Sequence, residues 1–308
     1  MIWKPMIILN IFVNNLLPVF IVVGIGVLLG LTIKPNVKSI SRMTFYALTP
    51  CLVFSSLTQA KLTGAETRLV ALFATAATLA TAALAWGVAT SLGWRGKRRR
   101  ALVLPVLVIN SGNFGLSVVL FAFGAQAQAR AMVYFVTTAL IVSTLGVILS
   151  AGGRSWRKAL NNIVRIPMLY AVVAAIVVML VGQVQLPQLI ARPIDLLSGA
   201  AIPLMLLILG MQLARSVSNL RGHLGAILIA TAFRLIVAPI VAIPIVWLTG
   251  VQGVAYQACM LEASTPSGVT AIILALEYDL EPEAVTGTIF LSTLLSAITL
   301  SVVISIIR

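Results

Sequence analysis

The chain has 308 residues, of which 60% are hydrophobic and 9% are charged, and its formal net charge is +14. Several runs of about twenty apolar residues match the thickness of a bilayer, so the composition predicts an all-α membrane protein with many spans. The polar stretches between these runs are too short for a soluble domain, and the basic residues lie in these short loops, which argues against nucleic acid as a partner.

Hydropathy predicts ten membrane spans when glycine, proline and charged residues are taken as the signals that end them. In the first half of the chain they lie near residues 11–31, 43–60, 69–92, 101–123 and 128–150. In the second half they lie near residues 166–182, 194–214, 224–249, 253–276 and 285–307. The lipid bilayer is therefore the expected environment of nearly the whole chain, and the sequence leaves a homodimer open.

The basic residues are distributed unevenly between the two sides of the predicted membrane. One side has Lys34, Lys38, Arg42, Arg95, Lys97, Arg98, Arg99, Arg100, Arg154, Arg157, Lys158, Arg165, Arg215 and Arg221. The other side has Lys4, Lys61, Arg68, Arg130, Arg192 and Arg308. Because positively charged loops stay in the cytoplasm, we expect the first side to be cytoplasmic and both termini to lie outside, in a bacterial inner membrane.

The two halves of the chain resemble each other. A shift of 153 residues places Pro50 on Pro203, Gln59 on Gln212, Arg68 on Arg221, Ser111 on Ser264, Gly115 on Gly268 and Ser143 on Ser296. Residues 1–153 and 154–308 each carry five predicted spans, and an odd number means that the second half enters the membrane in the opposite direction. We therefore predict an inverted repeat, which is the plan of many secondary transporters.

Polar residues interrupt the fourth and ninth spans at membrane depth. The candidate substrate-binding residues there are Asn110, Ser111, Gly112 and Asn113 in the fourth span, and Ser264, Thr265, Pro266 and Ser267 in the ninth. We predict that each span consists of two half-helices, since irregular backbone is tolerated in a membrane where it faces protein or water. The alternative is that glycine and serine only permit close packing and that Pro266 only kinks its helix.

The residue types at the interruptions predict where the half-helices begin. In the ninth span we expect one helix to end near Glu262 and Ala263 and the next to start at Pro266, because proline suits the first helical position. The candidate N-cap residues are Ser264 or Thr265 in the ninth span and Ser111 or Asn113 in the fourth. Two helix N-termini would then face the protein centre and, with about half a positive charge each, could hold an anion.

Two charged residues lie deep in predicted spans, Glu262 in the ninth and Arg234 in the eighth. A charge at this depth costs about 2.5–3.5 kcal/mol on insertion scales, so both residues are candidates for function. Glu262 suits a coupling site for Na⁺ or a proton, and Na⁺ is the one cofactor that the sequence suggests. Two alternatives remain open: an ion pair between Glu262 and Arg234, or an Arg234 that faces the carboxylate of a substrate.

Two prolines that the repeat relates, Pro50 and Pro203, are expected to kink the second and seventh spans. These kinks would shape the other wall of a central cavity, with Ser55 or Ser56 as a candidate substrate contact.

Other residues indicate structure rather than chemistry. Gly26 and Gly30 form a pair of small residues that favours close helix packing in the first span. Cys51 and Cys259 have no metal-binding or disulfide spacing, and His223 is the only histidine. Without a zinc-binding HExxH motif or a pair of intramembrane aspartates, the sequence predicts no catalytic residues and no resident metal, and therefore not an enzyme.

Four stretches of the sequence resemble the auxin efflux carrier family, which contains the plant PIN carriers and bacterial carriers within the bile acid/sodium symporter-like fold group. They are "EASTPSGVTAIILALEYDLEPEAV" (262–285), "FRLIVAP" (233–239), "NSGNFG" (110–115) and "YALTPCLVFSSL" (46–57). The resemblance covers essentially the whole chain. It implies a scaffold formed by spans 1, 2, 6 and 7, a mobile core formed by spans 3, 4, 5, 8, 9 and 10, and an elevator-type movement.

The resemblance also assigns individual residues. Asn113 takes the place of the family's crossover asparagine, and Pro266 that of its ninth-span proline. Gly112 stands where the plant pattern has proline, so the fourth-span break is expected to be softer. Glu262 is absent from the plant pattern and is similar to the ion-site acid of sodium-coupled bile acid transporters.

The sequence as a whole predicts a secondary active transporter of a small organic anion. The anion is expected to be a carboxylate, either auxin-like or a dicarboxylate, with coupling to Na⁺ or to protons through Glu262. The alternative is an organic-anion channel or a sensor that uses the same fold.

Overall fold

The computed structural model describes residues 3–60, 62–153, 157, 161, 163–181, 186–214 and 221–308. Four basic residues used in the topology prediction, Lys61, Arg154, Lys158 and Arg215, lie outside these residues. In the described part of the chain the regular structure is helical, and it contains no β-strand beyond one isolated pair of bridged residues.

Eleven helical runs have both ends in the described ranges, and residues 157, 161, 163 and 164 are also helical. In the first half, α1 covers residues 3–32, α2 covers residues 37–59, α3 is Gly64–Ser91, α4 is Gly96–Leu107 and α5 is Ser111–Ser150. In the second half, α6 is Pro167–Leu180, α7 is Gln188–Leu213, α8 is Leu224–Thr249, α9 is Gly253–Ala263, α10 is Thr270–Glu277 and α11 is Pro282–Ile307. Short π-helical turns lie within α1, α2, α5 and α8.

Six helices in the described part of the chain are long and apolar enough to cross a membrane. They are Met6–Thr32, Gly64–Ser91, Ser111–Ser150, Gln188–Leu213, Leu224–Thr249 and Pro282–Ile307. The longest of them, α5, turns sharply at Gly124, whose φ of 80° and ψ of −176° are not helical. This turn lies between the predicted fourth and fifth spans. The helices confirm an all-α membrane protein, whereas the count of ten spans and their inverted relation stay predictions.

The closest helix packing is between α1 and α7. A Cβ atom added to Gly26 would lie 2.3 Å from the carbonyl oxygen of Leu207, and one added to Gly210 would lie 2.0 Å from the carbonyl oxygen of Val23. Backbones approach this closely only where both helices carry glycine at the contact. The packing role predicted for the small residues of the first span is therefore confirmed at Gly26.

The helices pack in two groups. In the first group α7 packs on α1 and α2, and α2 packs on α6. In the second group α3 packs on α4, α5 and α8, α9 packs on α5, and α11 packs on α8 and α10. The groups meet between α1 and α11 and between α2 and α5. They also meet where α7 and the ring of Phe20 in α1 touch the first turn of α5, with 5.7 Å between the ring centroids of Phe20 and Phe114. This contact lies beside the fourth-span interruption.

An ion pair joins α3 to α5 at one end of the second group. Thr63 caps α3 because its hydroxyl oxygen accepts a hydrogen bond of 3.1 Å from the backbone N–H of Glu66. The Glu66 carboxylate in turn accepts two hydrogen bonds from Arg130, of 2.7 Å and 3.1 Å. This forked arrangement fixes the relative position of the two helices more firmly than a single contact would.

Candidate binding site at the crossing of two interrupted helices

The fourth and ninth spans are both interrupted, and their interruptions cross. Helix α4 ends at Leu107 and α5 begins at Ser111, while α9 ends at Ala263 and α10 begins at Thr270. The two non-helical segments pair as antiparallel backbone, with residues 109 and 267 opposite each other. The interruptions are therefore real breaks, and Pro266 does more than kink a continuous helix.

Two backbone hydrogen bonds hold the crossing together. The N–H of Asn110 donates to the carbonyl oxygen of Pro266 at 2.8 Å, and the N–H of Gly268 donates to the carbonyl oxygen of Val108 at 2.7 Å. A Cβ atom on Gly268 would lie 2.5 Å from the carbonyl oxygen of Ile109, so only glycine permits this approach. Each broken helix thus supplies backbone partners for the other, as buried backbone requires.

Two hydroxyl groups of the ninth-span break bond to the backbone of the preceding helix. The Ser264 hydroxyl donates to the carbonyl oxygen of Met260 at 2.7 Å, and the Thr265 hydroxyl donates to the carbonyl oxygen of Glu262, also at 2.7 Å. As predicted, the first half-helix ends at Ala263.

The predicted start of the second half-helix was wrong. Helix α10 begins at Thr270 rather than at Pro266, and no side chain caps it. The physical reason is that the Ser264 and Thr265 hydroxyls bond backwards to the preceding turn, so neither of them caps the helix that follows.

The fourth-span break leaves its polar groups free. Asn110 precedes α5 without a side-chain cap, so the predicted capping by Ser111 or Asn113 is also wrong. The Asn110 amide nitrogen and the Ser111 hydroxyl are buried without a hydrogen-bond partner, and Asn113 is half-buried. Gly112 packs against a ring, since a Cβ there would lie 2.6 Å from Phe135 Cε2. Unpaired buried polar groups are costly, so they mark a place where a ligand or water is expected.

Ser267 joins this set from the ninth span. Its backbone N–H donates to the Ser292 hydroxyl oxygen at 3.2 Å, while its own hydroxyl is buried without a partner. Ser292 lies in α11 and is itself buried. The structure shows that it supports the crossing from α11.

Glu262 lies in the last turn of α9, and its side chain is fully buried. The carboxyl group rests against Gly115 in the first turn of α5, where a Cβ atom would lie 2.4 Å from Oε2. Neither carboxyl oxygen has a partner of acceptable hydrogen-bond geometry, although the Ser111 hydroxyl lies beside the group. An isolated buried carboxylate is costly, so this group requires either a proton or a cation.

Arg234 lies in the π-helical turn of α8 and is 2% exposed. Its Nη2 atom donates to the carbonyl oxygens of Thr265 at 2.6 Å and Ala263 at 3.0 Å, and its Nε atom donates to Thr265 at 3.2 Å. The Nη1 atom is 3.5 Å from the carbonyl oxygen of Val106. The guanidinium makes no ion pair with Glu262, so the predicted alternative of a Glu262–Arg234 pair is not the arrangement found.

Ser55 lies in a separate cluster. Its hydroxyl donates to Asp195 Oδ1 at 3.1 Å, and the Gln59 side-chain nitrogen donates to both the Ser55 hydroxyl oxygen at 2.9 Å and Asp195 Oδ1 at 3.2 Å. These residues line a cavity of about 420 Å³ between α2, α6 and α7. Sequence reasoning missed Asp195, although its position just inside the predicted seventh span was a signal.

No metal cluster accompanies the crossing. Within the described ranges, no group of three or more His, Cys, Asp or Glu residues lies close enough to hold a metal ion. Na⁺ is bound mainly by carbonyl, hydroxyl and carboxylate oxygens, and the Glu262 carboxyl group with the neighbouring Ser111 hydroxyl supplies two of these types. A sodium site near Glu262 therefore stays a proposal.

A helical membrane protein whose interrupted helices cross beside buried, unpaired polar groups has the construction of a transporter. The sequence model of a family described as membrane transport protein matches residues 11–158 and 154–304. The chain belongs to this family, which is of the auxin efflux carrier type. The predicted family is confirmed, and the protein is a transporter rather than an enzyme.

Two archaeal relatives and a plant relative illustrate the family. An uncharacterized transporter of Methanothermobacter thermautotrophicus is 31% identical over 295 residues, which cover 93% of this chain and 95% of the relative. An uncharacterized transporter of Methanocaldococcus jannaschii is 26% identical over 205 residues, which cover 65% of this chain and 66% of the relative. Auxin efflux carrier component 1 of Arabidopsis thaliana is 25% identical over 144 residues, which cover 46% of this chain and 22% of that protein.

Proposed function

We propose that the protein is a secondary active transporter of a small organic anion, a carboxylate that is either auxin-like or a dicarboxylate. The observation that carries this proposal is the set of buried, unpaired polar groups at the crossing, on Asn110, Ser111 and Ser267. Hydrogen-bond donors without partners suit a carboxylate, which accepts hydrogen bonds at both oxygens. Asn113, which is half-buried, adds a donor that a ligand can reach.

The charge pattern at the crossing supports an anion. The N-termini of α5 and α10 begin beside the crossing, and each carries about half a positive charge. The opposite, negative ends belong to α4 and α9, and Arg234 already covers them. Once a proton or Na⁺ neutralises Glu262, which lies beside the start of α5, the field that is left uncompensated is positive and favours a carboxylate over a cationic or neutral solute.

The packing supports an elevator-type mechanism. Helices α1, α2, α6 and α7 pack as one group and correspond to the scaffold that the family resemblance implies, while the crossing belongs to the other group. The proposal takes the chain as ten spans in two inverted repeats, with basic loops in the cytoplasm of a bacterium and both termini outside. Movement of the second group past the first would carry the anion across.

Glu262 is the proposed coupling residue, which takes up a proton or Na⁺. Its buried carboxyl group has no hydrogen-bond partner and adjoins Gly115 and Ser111 at the start of α5. A change in its charge would alter the field on a bound anion a few ångströms away, because charges interact strongly where water is excluded. Binding of the anion and neutralisation of Glu262 are therefore linked in this proposal.

A ligand-stabilisation screen tests the proposal. Purified protein is heated with indole-3-acetate, benzoate, succinate or malonate, with and without Na⁺ and at several pH values, for the wild type and for Glu262→Gln. We expect at least one carboxylate to raise the melting temperature, and Glu262→Gln to lose the dependence on pH or Na⁺. Stabilisation by organic cations or neutral solutes alone would contradict the anion, and an unchanged dependence in Glu262→Gln would contradict the coupling role.

A further inference from the structure

Every hydrogen bond of the Arg234 guanidinium goes to a backbone carbonyl oxygen at the end of a half-helix. The carbonyl oxygens of Ala263 and Thr265 lie at the C-terminal end of α9, and that of Val106 lies at the C-terminal end of α4. Neither side-chain carboxylates nor other acids take part in these bonds. The guanidinium thus sits where the two broken helices expose their negative ends to each other.

The charges at this position balance. A helix C-terminus is equivalent to about half a negative charge, so two of them amount to about one unit, which a single guanidinium neutralises. A cluster of backbone carbonyl oxygens is also the kind of site that binds Na⁺ in unwound membrane helices. Without Arg234, these three carbonyl oxygens would form a buried site whose partial negative charges require about one positive charge to balance them.

We propose that Arg234 is a tethered cation, which occupies the place where a free cation would otherwise bind the carbonyl oxygens of the crossing. The residue thereby sets the ion selectivity of the transporter, since it excludes Na⁺ from this place and leaves Glu262 as the only coupling group. This inference rests on the proposed transport function. It also explains why a deeply buried arginine, 2% exposed, has no acidic partner.

Chemical rescue distinguishes a tethered cation from an ordinary packing residue. In Arg234→Ala, the missing side chain leaves room for a free guanidinium ion beside the same carbonyl oxygens. We expect the melting temperature to fall and carboxylate binding to weaken by at least about tenfold, in line with the loss of a buried charged hydrogen-bond donor. Guanidinium chloride at millimolar concentration, far below the molar range that unfolds proteins, should restore both, and Na⁺ should restore them in part.

Three variants serve as controls. Arg234→Met fills the volume without a charge, so it should lose carboxylate binding and gain nothing from guanidinium. Arg234→Lys keeps a charge, so it should fold and bind without added cation, although more weakly than the wild type. Arg130→Ala removes an arginine that pairs with a carboxylate rather than with carbonyl oxygens, so it should not acquire a requirement for free cations in carboxylate binding.

The measurements are repeated in the Glu262→Gln background to separate this inference from the coupling role of Glu262. The cation response of Arg234→Ala should persist there, because it originates at the carbonyl oxygens. A methionine variant with wild-type stability and carboxylate binding would overturn the proposal, as would an alanine variant that folds but ignores guanidinium and Na⁺. If neither the alanine nor the methionine variant folds, Arg234→Lys provides the test. A lysine variant that also fails to fold would show that positive charge is not what the site requires.

Discussion

The two breaks at the crossing differ in how they use their polar groups. The ninth-span break is non-helical over residues 264–269, and its Ser264 and Thr265 hydroxyls are bonded to its own backbone. The fourth-span break is non-helical over residues 108–110 only, and the Asn110 amide nitrogen and the Ser111 hydroxyl at its end have no hydrogen-bond partner of acceptable geometry. The ninth-span break is therefore mainly a support, in which Ser267 alone keeps an unpaired hydroxyl, and the fourth-span break presents most of its side-chain chemistry to a ligand.

The residue types explain this difference. Pro266 has no N–H group and disfavours helical backbone in the residue before it, so the first half-helix of the ninth span cannot continue through it. The backbone of residues 266–268 then pairs with the fourth-span break before the next helix starts. In the fourth span, Gly112 stands where the plant pattern has proline. Helix α5 restarts there with a π-helical turn at Ser111–Gly115. Such turns are frequent at functional sites because they shift side chains out of regular helical register.

The largest expected effect comes from breaking the backbone contact that joins the two breaks. Gly268→Ala would place a Cβ atom 2.5 Å from the carbonyl oxygen of Ile109, where no flexible side chain can yield. We expect a loss of at least about 3 kcal/mol in stability, at the upper end for overpacking, or no folded protein.

Thermal unfolding of the purified protein measures this effect, with Gly24→Ala as the control. A Cβ atom on Gly24 meets nothing within 4 Å, and alanine is the better helix former, so this control should unfold no earlier than the wild type. Equal stability of the Gly268 variant and the control would show that the crossing is looser than described.

A smaller loss of stability is expected where the fourth-span break meets Glu262. In Gly115→Ala the new Cβ atom would lie 2.4 Å from Oε2 of Glu262, and the carboxyl group has to move away. We expect a cost of about 1–3 kcal/mol. Since the clash involves a removable side chain, Glu262→Ala combined with Gly115→Ala should unfold later than Gly115→Ala alone. A strictly additive double mutant would contradict the contact.

Removal of a single hydroxyl group should lower stability at the ninth-span break and weaken carboxylate binding at the fourth-span break. Thr265→Val removes the hydrogen bond to the Glu262 carbonyl oxygen, so it should cost about 1 kcal/mol of stability and leave carboxylate binding unchanged. Ser111→Ala removes a hydroxyl that lies beside Glu262 without a hydrogen bond of acceptable geometry, so stability should hold while binding weakens about tenfold. Melting temperatures with and without carboxylate measure both properties, and the reverse assignment would refute the comparison.

The smallest effect is expected at the ion pair between Lys97 and Asp279, which links the start of α4 to the turn after α10. The Lys97 ammonium, through a hydrogen bond and its charge, lowers the pKa of Asp279 from its usual 3.8. The pair's contribution is therefore present at neutral pH and is lost as pH falls through the lowered pKa. Because both side chains are exposed, Asp279→Asn should leave the melting temperature at neutral pH and physiological salt unchanged.

Much of the fold and part of the site could be predicted from the sequence. Hydropathy shows the helices directly, and the polar residues at 110–113 and 262–267 marked both breaks, because such residues are too costly in an ordinary membrane helix. The start of α10 could not be predicted from the sequence. The Ser264 hydroxyl can donate to a carbonyl oxygen of the preceding helix or accept from an N–H group of the following one, and both are good partners.

The partners of the two buried charges were also beyond the sequence. Arg234 and Glu262 lie on neighbouring spans with opposite charge, which favours an ion pair, whereas the structure turns the guanidinium towards carbonyl oxygens and the carboxyl group towards Gly115. This outcome depends on the three-dimensional crossing of two distant breaks. The partner of Ser55 was beyond the sequence for a similar reason, because Asp195 is 140 positions away in the chain.

Counterflow in proteoliposomes tests the central claim most directly. Vesicles loaded with the unlabelled carboxylate that stabilises the protein best are diluted into a trace of the labelled compound. A transporter with most of its binding groups on the fourth-span break should accumulate label above equilibrium in the wild type and in Thr265→Val, and much more slowly in Ser111→Ala. Simple equilibration of label in all three would indicate a channel, and loss in Thr265→Val with retention in Ser111→Ala would contradict the assignment of the site.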